Sequence, residues 1–331
     1  MDKEKILYLF TAIASKMLNA GKPTKPKKVE RILALKLDEI GDMVYTMHCF
    51  SALKKVFPDA HLSVVCKPMN NDLVKQTGVV DDIINDLKTV EGKFDVQIDF
   101  RGNWASVKRA ILGGCYYYLE RGSIRLHNKI GGAQTHEIIT NQNIIKPLFP
   151  KGFIFDKPRF NVEKKDIEFI DDLLNKLQLQ KFVLMHCGAR DAERRWPTDR
   201  FALLVNKIFE KYGLKTIFIG SKNESELVET VLKETPHGIN LAGQTSLMQL
   251  AALTRKCTFY VGNESGPLHF AIIEQKPLVA LFGPGVKDVF YPIYPNQHVI
   301  HHLKPGQIKG DNDSILQISV EEVYACIDSI F

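Results

Sequence analysis

Short, unbroken apolar runs alternate along this chain with longer stretches whose apolar residues recur every three or four positions. The run RILALK (31–36) has no polar face, as expected of a strand buried on both sides. The loop LDEIGD (37–42) follows, then helical spacing over 43–57 that stops before Pro58, then a second strand at 61–66. Strand, helix and strand joined by short connections predict a parallel βαβ unit. Residues 79–86 and 94–100 repeat the strand pattern, 104–112 reads as a helix, and 136–148 returns to helix. Between them, 113–132 carries Tyr116, Tyr117 and Tyr118 among glycines and reads as a surface loop or an edge strand beside a binding cleft.

Pro158 punctuates a crossing at 157–161, and the same alternation then begins again. Helix is predicted at 166–177, strand at 182–186, and a polar loop at 187–195. Trp196-Pro197 opens a helix that Gly213 stops. A strand at 215–220 runs into Ser221 and Glu224, spaced as a capping box for a helix to 233. A helix at 247–253 is capped by Thr245 or Ser246. Then comes VGNESGPLHFAIIEQKPLVALFGP (261–284): the end of a strand, a turn at Asn263 to Gly266, a helix at 268–274 with Pro267 in its tolerated first turn, and a strand at 278–282. A helix over 320–331 ends the chain.

Two αβ halves result: a domain at 29–160 and one at 161–331, the last helix being free to return onto the first domain. Residues 1–28 are expected to be an appendage. Ile6, Leu9, Phe10, Ile13, Met17 and Leu18 fall at near-helical spacing, followed by the linker-like GKPTKPKK. This amphipathic helix either packs on the body of the protein or lies on a membrane with the basic run near lipid head groups. Its apolar stretch is too short to span a bilayer.

Composition narrows the class. With 45% hydrophobic and 25% charged residues among 331, the chain is globular rather than disordered. A formal charge of +6 permits an anionic partner, but the basic residues are spread and match no nucleic-acid motif, so no nucleic-acid partner is expected. Six scattered cysteines without a Cys-x-x-Cys pair imply reduced, buried thiols in a cytoplasmic compartment.

G-x-G-x-x-G, the P-loop, G-x-S-x-G and metal-ligand spacings are all missing, which disfavours dinucleotide, P-loop and metal chemistry. Parallel αβ domains bind ligands at the carboxyl ends of their strands. The loops there hold Asp38, Glu39, Asp42, Arg190, Arg194, Arg195, Glu224, Glu264, Ser265 and His269. A helix N-terminus after Gly266, with arginines nearby, suits an anion. The carboxylates suit hydroxyls, and the combination fits a nucleotide-sugar. Plainer roles compete at each position: Asp42 as a cap, Arg194 as a solvated charge, Glu224 as half of its capping box, His269 as a core histidine, Trp196 as packing.

Several blocks resemble glycosyltransferase family 9, the bacterial lipopolysaccharide heptosyltransferases. They are RILALKLDEIGDMVYTMHCFSALKKVFPDAHLSVV (31–65), FDVQIDFRGN (94–103), HCGARDAERRWPTDRFALLV (186–205), and LAGQTSLMQLAAL followed by FYVGNESGPLHFAIIEQKPLVALFGP (241–284), in the family's order. The resemblance implies a GT-B fold, two Rossmann-like domains with parallel sheets facing a central cleft. It implies an inverting transfer of a heptose-type sugar from ADP-heptose, held by the C-terminal domain, to a lipid-linked saccharide of the lipopolysaccharide core, held by the N-terminal domain. The enzyme would be cytoplasmic, or peripheral on the cytoplasmic face of the inner membrane, and would need no cofactor or metal.

Carried over by position, Asp42 matches the proposed general base. Arg194 stands where the family usually has a lysine facing the donor phosphates, and Glu224 matches a ribose-binding carboxylate. Glu264 stands where the family usually has Asp, Ser265 and Gly266 match the diphosphate-binding turn, and His269 matches the histidine of the following helix. Asp42 at a helix start is expected to stay ionised and to be a weak base. The alternatives are a family 9 transferase with another donor or acceptor, a non-catalytic nucleotide-sugar binding protein of the same fold, and a GT-B-like epimerase.

Overall fold

The computed structural model describes residues 3–22, 26, 28–131, 135–285, 287–304, 307 and 310–330. Pro23, Thr24, Lys25 and Lys27 of the expected linker, Gly132 and Phe331 lie outside the described residues. The chain divides into two compact units, Met1–Arg159 and Phe160–Phe331.

The first unit is built on five parallel strands: β1 (Arg31–Lys36), β2 (His61–Cys66), β3 (Asp82–Ile84), β4 (Phe94–Asp99) and β5 (Cys115–Glu120). Their order is β3-β2-β1-β4-β5, in register from Arg31 opposite His61 and Leu35 opposite Asp99. Ile32, Leu33, Ala34 and Leu35 are fully buried, because helices cover both faces of the central strand. The helical pattern after β1 is two helices, Ile40–Val44 and Met47–Val56, broken at Tyr45-Thr46. The region that was hard to read contains edge strand β5 and a further helix, Gly122–Gly131.

The N-terminal helix Lys3–Asn19 is bonded to this unit. Asn19 donates to the Tyr118 carbonyl at 2.9 Å and accepts from the Tyr118 N–H at 3.0 Å, while Ser15 donates to the same carbonyl at 2.8 Å. The free edge of β5 is thereby covered, which removes a template for strand addition.

The second unit has six parallel strands: β6 (Phe182–His186), β7 (Lys215–Phe218), β8 (Gly238–Asn240), β9 (Phe259–Asn263), β10 (Leu278–Phe282) and β11 (Gln297–His301). Their order is β11-β10-β9-β6-β7-β8. Trp196 is buried, and its indole N–H donates to the Ile318 carbonyl at 2.9 Å, so it serves packing. The helix Thr198–Tyr212 ends where Gly213 takes a left-handed conformation (φ 64°) and donates to the Phe209 carbonyl. The last helix, Val320–Asp328, was free by sequence to return onto the first domain. It instead places Val320, Val323 and Ile327 in the core of the second unit, beside the helix Thr198–Tyr212 and β10. Lys211 pairs with Asp328 at 2.8 Å across that contact.

Strand order reverses between β1 and β4 in the first unit and between β6 and β9 in the second. In each unit the strand ends at that switch point are the usual place for a ligand in open α/β sheets.

Candidate functional site

At the β6–β9 switch point the last residue of β6, His186, joins two of the expected site residues. Its Nδ1 lies 2.8 Å from the Ser265 Oγ, and its Nε2 lies 3.2 Å from the Glu224 Oε1. Glu224 also closes the capping box, its Oε2 accepting from the Ser221 N–H at 2.7 Å and the Ser221 hydroxyl at 2.8 Å. The two roles weighed for Glu224 therefore coexist. Burial alone would raise this carboxyl, but the His186 hydrogen bond and charge, with the Ser221 donors, hold it down at about 2. A Cβ at Gly188 would fall on the Glu224 Oε1, so a side chain there would displace this carboxylate from His186.

Ser265 is the residue before the helix Gly266–Ile273, yet its side chain makes no capping bond; it donates instead to the Asn263 carbonyl at 3.1 Å. Of its first turn, Pro267 has no N–H and the Leu268 N–H donates to the Ser265 carbonyl at 3.2 Å, so the Gly266 N–H is the amide this positive dipole end presents. A Cβ on Gly266 would meet nothing within 4 Å, so no neighbouring protein atom demands glycine there. His269, one turn on, is buried with its ring 5.5 Å from that of Phe290. Buried Asn263 ties the strand ends together. It donates to the carbonyls of Cys187 and Gly188 at 2.9 and 3.2 Å and accepts from the Trp196 N–H at 3.1 Å.

Arg194 closes a short 3₁₀ turn, Ala192–Arg194, and approaches both Asp191 Oδ2 and Glu264 Oε1 at 3.4 Å. Glu264 is 6% exposed, and its Oε2 has no hydrogen-bond partner. Burial pushes its carboxyl up to about 7; Arg194 pulls it down too weakly to offset this, and Asp191 adds to the rise. The carboxylate occupies the space where a Cβ on Gly285, just past β10, would stand.

The first unit has its own charged cluster at the β1–β4 switch point. Lys36, fully buried at the end of β1, lies 2.9 Å from Asp38 Oδ2 and 3.3 Å from Glu137 Oε1. Arg121 binds both Glu137 oxygens at 2.8 Å, Arg125 adds a contact at 2.8 Å, and Arg101 pairs with Asp38. Burial lowers the Lys36 ammonium below its ordinary value. Burial opposes ionisation of Glu137, but Arg121, Lys36 and Arg125 together hold it down. Asp42 sits in the five-residue helix Ile40–Val44, where Glu39, not Asp42, takes the cap position. Its carboxyl is raised, first by burial, with Lys36 pulling the other way and Glu137 pushing further up. The expected helix-end lowering is outweighed, so Asp42 is a stronger base than an ordinary carboxylate.

The structure brings Glu224 and Ser265 together through His186, sets Arg194 against Glu264, and keeps Asp42 with the first unit's cations. Sequence reading passed over His186, Asn263, Lys36 and Glu137. The available signal was a lone polar or charged residue ending an apolar run, as in RILALK. Among the described residues no group of three or more His, Cys, Asp or Glu is placed to hold a metal ion.

A family model for glycosyltransferase family 9 (heptosyltransferase) matches residues 138–316. Lipopolysaccharide heptosyltransferase 1 of Campylobacter coli is 21% identical over 78% of this chain and 86% of its own length. Other curated relatives align over shorter spans, 39 to 41% of this chain and 40 to 42% of their own length. Among solved structures, a family 9 glycosyltransferase from Veillonella parvula superposes with a TM-score of 0.75 at 20% identity, covering 93% of this chain and 99% of that one. The ADP-heptose lps heptosyltransferase II of E. coli gives 0.68 at 20% identity, covering 91% and 98%.

Two outcomes follow from the Glu264 environment. Gly285→Ala forces the Glu264 carboxylate to move and is expected to cost about 1–3 kcal/mol in urea unfolding. Glu264→Asp, one methylene shorter, is expected to recover most of that loss in the double variant, whereas strictly additive effects would show that the two positions do not meet. Between the ordinary value of 4.5 and about 7 the folded state binds a proton at Glu264 that the unfolded chain releases, so stability falls as pH rises through that window. The stability difference between wild type and Glu264→Gln is therefore expected to decline across it; a difference that stays constant contradicts the raised carboxyl.

Proposed function

Because the chain belongs to glycosyltransferase family 9 and is a glycosyltransferase of the GT-B fold, we propose that it moves a heptose-type sugar from ADP-heptose to a lipid-linked saccharide of the lipopolysaccharide core. The observation that carries this reading is the assembly at the β6–β9 switch point: Arg194, the helix end at Gly266, and the Glu224–His186–Ser265 chain converge where a nucleotide diphosphate would be held. The relatives support the donor and acceptor classes: the E. coli protein is an ADP-heptose lps heptosyltransferase, and the Campylobacter coli protein a lipopolysaccharide heptosyltransferase.

In this reading the diphosphate lies against Arg194 and the Gly266 amide at the start of the helix Gly266–Ile273, and Glu224 accepts from the ribose hydroxyls. The open space at Gly266 is consistent with a ligand, rather than the protein, setting the requirement for glycine. His186 holds the Ser265 Oγ, whose proton would turn from the Asn263 carbonyl to a phosphate oxygen when the donor binds.

An acceptor hydroxyl attacks the anomeric carbon with inversion. The bond from that carbon to the diphosphate oxygen breaks, the diphosphate leaves with the electron pair, and Asp42 takes the hydroxyl proton. Arg194 and the Gly266 amide stabilise the departing charge. The raised Asp42 carboxyl makes it a stronger proton acceptor than an ordinary aspartate. With its carboxyl raised to about 7, Glu264 is partly protonated at neutral pH and repels the diphosphate less than an ordinary carboxylate, and its length beside Gly285 favours, as the second reading, a donor sugar other than the usual one. The place of action is the cytoplasmic face of the inner membrane. Among the described residues no helix is long and apolar enough to cross a membrane.

Asp42→Asn is expected to lower turnover by about 10²–10⁴-fold while leaving ADP affinity unchanged. Near-normal turnover in a radiolabelled transfer assay would remove Asp42 from the base role.

A further inference from the structure

The N-terminal helix is turned the wrong way round for a helix that serves only the core. Its protein-facing side presents Thr11, Ala12 and Ala14, all buried, Ser15, and a large apolar group, the half-buried Leu18 packed beside Ala14. Its outward side presents Ile6, Leu9, Phe10, Ile13 and Met17, each at least 41% exposed, with Met17 at 73%. At ~100° per residue these five side chains fall within an arc of roughly 100°. An ordinary surface helix shows the reverse arrangement, with large apolar groups inward.

The apolar surface continues onto a second helix, Trp104–Gly113. Trp104, Ile111 and Leu112 are half or more exposed there, and the Phe10 and Trp104 rings meet at 4.8 Å. A contiguous apolar face of this kind marks an interaction site.

Charge selects the occupant. Lys5 and Lys16 border the apolar arc, and Lys108 stands exposed on the neighbouring helix. Apart from Glu4, whose side chain is outside the described ones, neither helix carries a carboxylate. Lys22, following the first helix, lies 4.7 Å above the exposed Tyr116 ring. A second copy docking through this face about a two-fold axis would set cation against cation. An anionic bilayer offers hydrocarbon to the apolar side chains and phosphate to the lysines, with Trp104 and Tyr116 suited to the interface between them.

We propose that the outward faces of Lys3–Asn19 and Trp104–Gly113 form one docking surface for an anionic phospholipid membrane. The inference deepens the proposed acceptor reading, since a lipid-linked saccharide is held in such a bilayer, but its test needs no sugar chemistry. The purified full chain is floated with vesicles of phosphatidylcholine, with or without phosphatidylglycerol. Wild type is expected to float with the anionic vesicles, and less so as salt rises. The double variant Ile13→Glu, Met17→Glu is expected to lose about tenfold or more in partitioning, at an unchanged melting temperature because both side chains are exposed. The charge variant Lys5→Glu, Lys16→Glu, Lys108→Glu is expected to lose the preference for phosphatidylglycerol, and it decides the matter alone should the apolar variant unfold. No flotation, equal flotation with both vesicles, or variants that float like wild type would overturn the proposal. So would a dimer by light scattering that Ile13→Glu, Met17→Glu dissociates, because a second copy would then be the occupant.

Discussion

A charge withdrawn from water at the end of a buried strand must find a partner, and both candidate sites in this chain are organised by that requirement. Lys36 sits at the carboxyl end of the most deeply buried strand of its sheet, with no solvent to satisfy it. Glu137 answers it and is itself answered by Arg121 and Arg125. Breaking such a buried set by removing one member costs about 3–5 kcal/mol, far more than the set contributes relative to an apolar replacement. The cluster therefore specifies position more than it adds stability, and what it positions is the charged surroundings of Asp42.

The second unit solves the same problem with less cationic charge. His186 ends β6 as Lys36 ends β1, and it links Glu224 to Ser265 across elements far apart in the chain. Glu264 is the exception. Among the described residues its cation partner is Arg194 at 3.4 Å, and one of its oxygens has no hydrogen bond. A buried carboxyl held so loosely stays protonated to higher pH, which would suit the diphosphate proposed for this site. Each unit thus keeps its polar groups at the strand-order reversal, where the sheet leaves room for a ligand and the helix ends leave donors free.

Most of the fold was legible because its central strands are buried on both faces and so read as unbroken apolar runs. The strand 278–282 was placed to the residue, and β1 and β2 likewise. The strands missed were β8 and β11, half-buried edge strands with composition Gly-Ile-Asn and Gln-His-Val-Ile-His, where no apolar run forms. The helical pattern of 43–57 concealed a break at Tyr45-Thr46, since both helices keep the same buried face. At the sites, Asp42, Arg194, Glu224 and the 264–269 turn were reached through motif order. Their partners were not, because His186 and Ser265 are 79 residues apart and Lys36 and Glu137 are 101 apart. No local pattern links such pairs; only the sheet topology does. The outward apolar face of the first helix was open to either reading from spacing alone, since periodicity shows that a stripe exists but not which way it points.

The central claim is that the cluster at the β6–β9 switch point is built to hold a nucleotide diphosphate. A crystal structure of the chain with ADP tests it most directly. The account predicts the diphosphate oxygens within hydrogen-bond distance of the Arg194 guanidinium, the Ser265 hydroxyl and the Gly266 amide, with the ribose hydroxyls on Glu224. Nucleotide density elsewhere, with Arg194 still turned to Glu264 and Glu224 still bound only to Ser221 and His186, would contradict it.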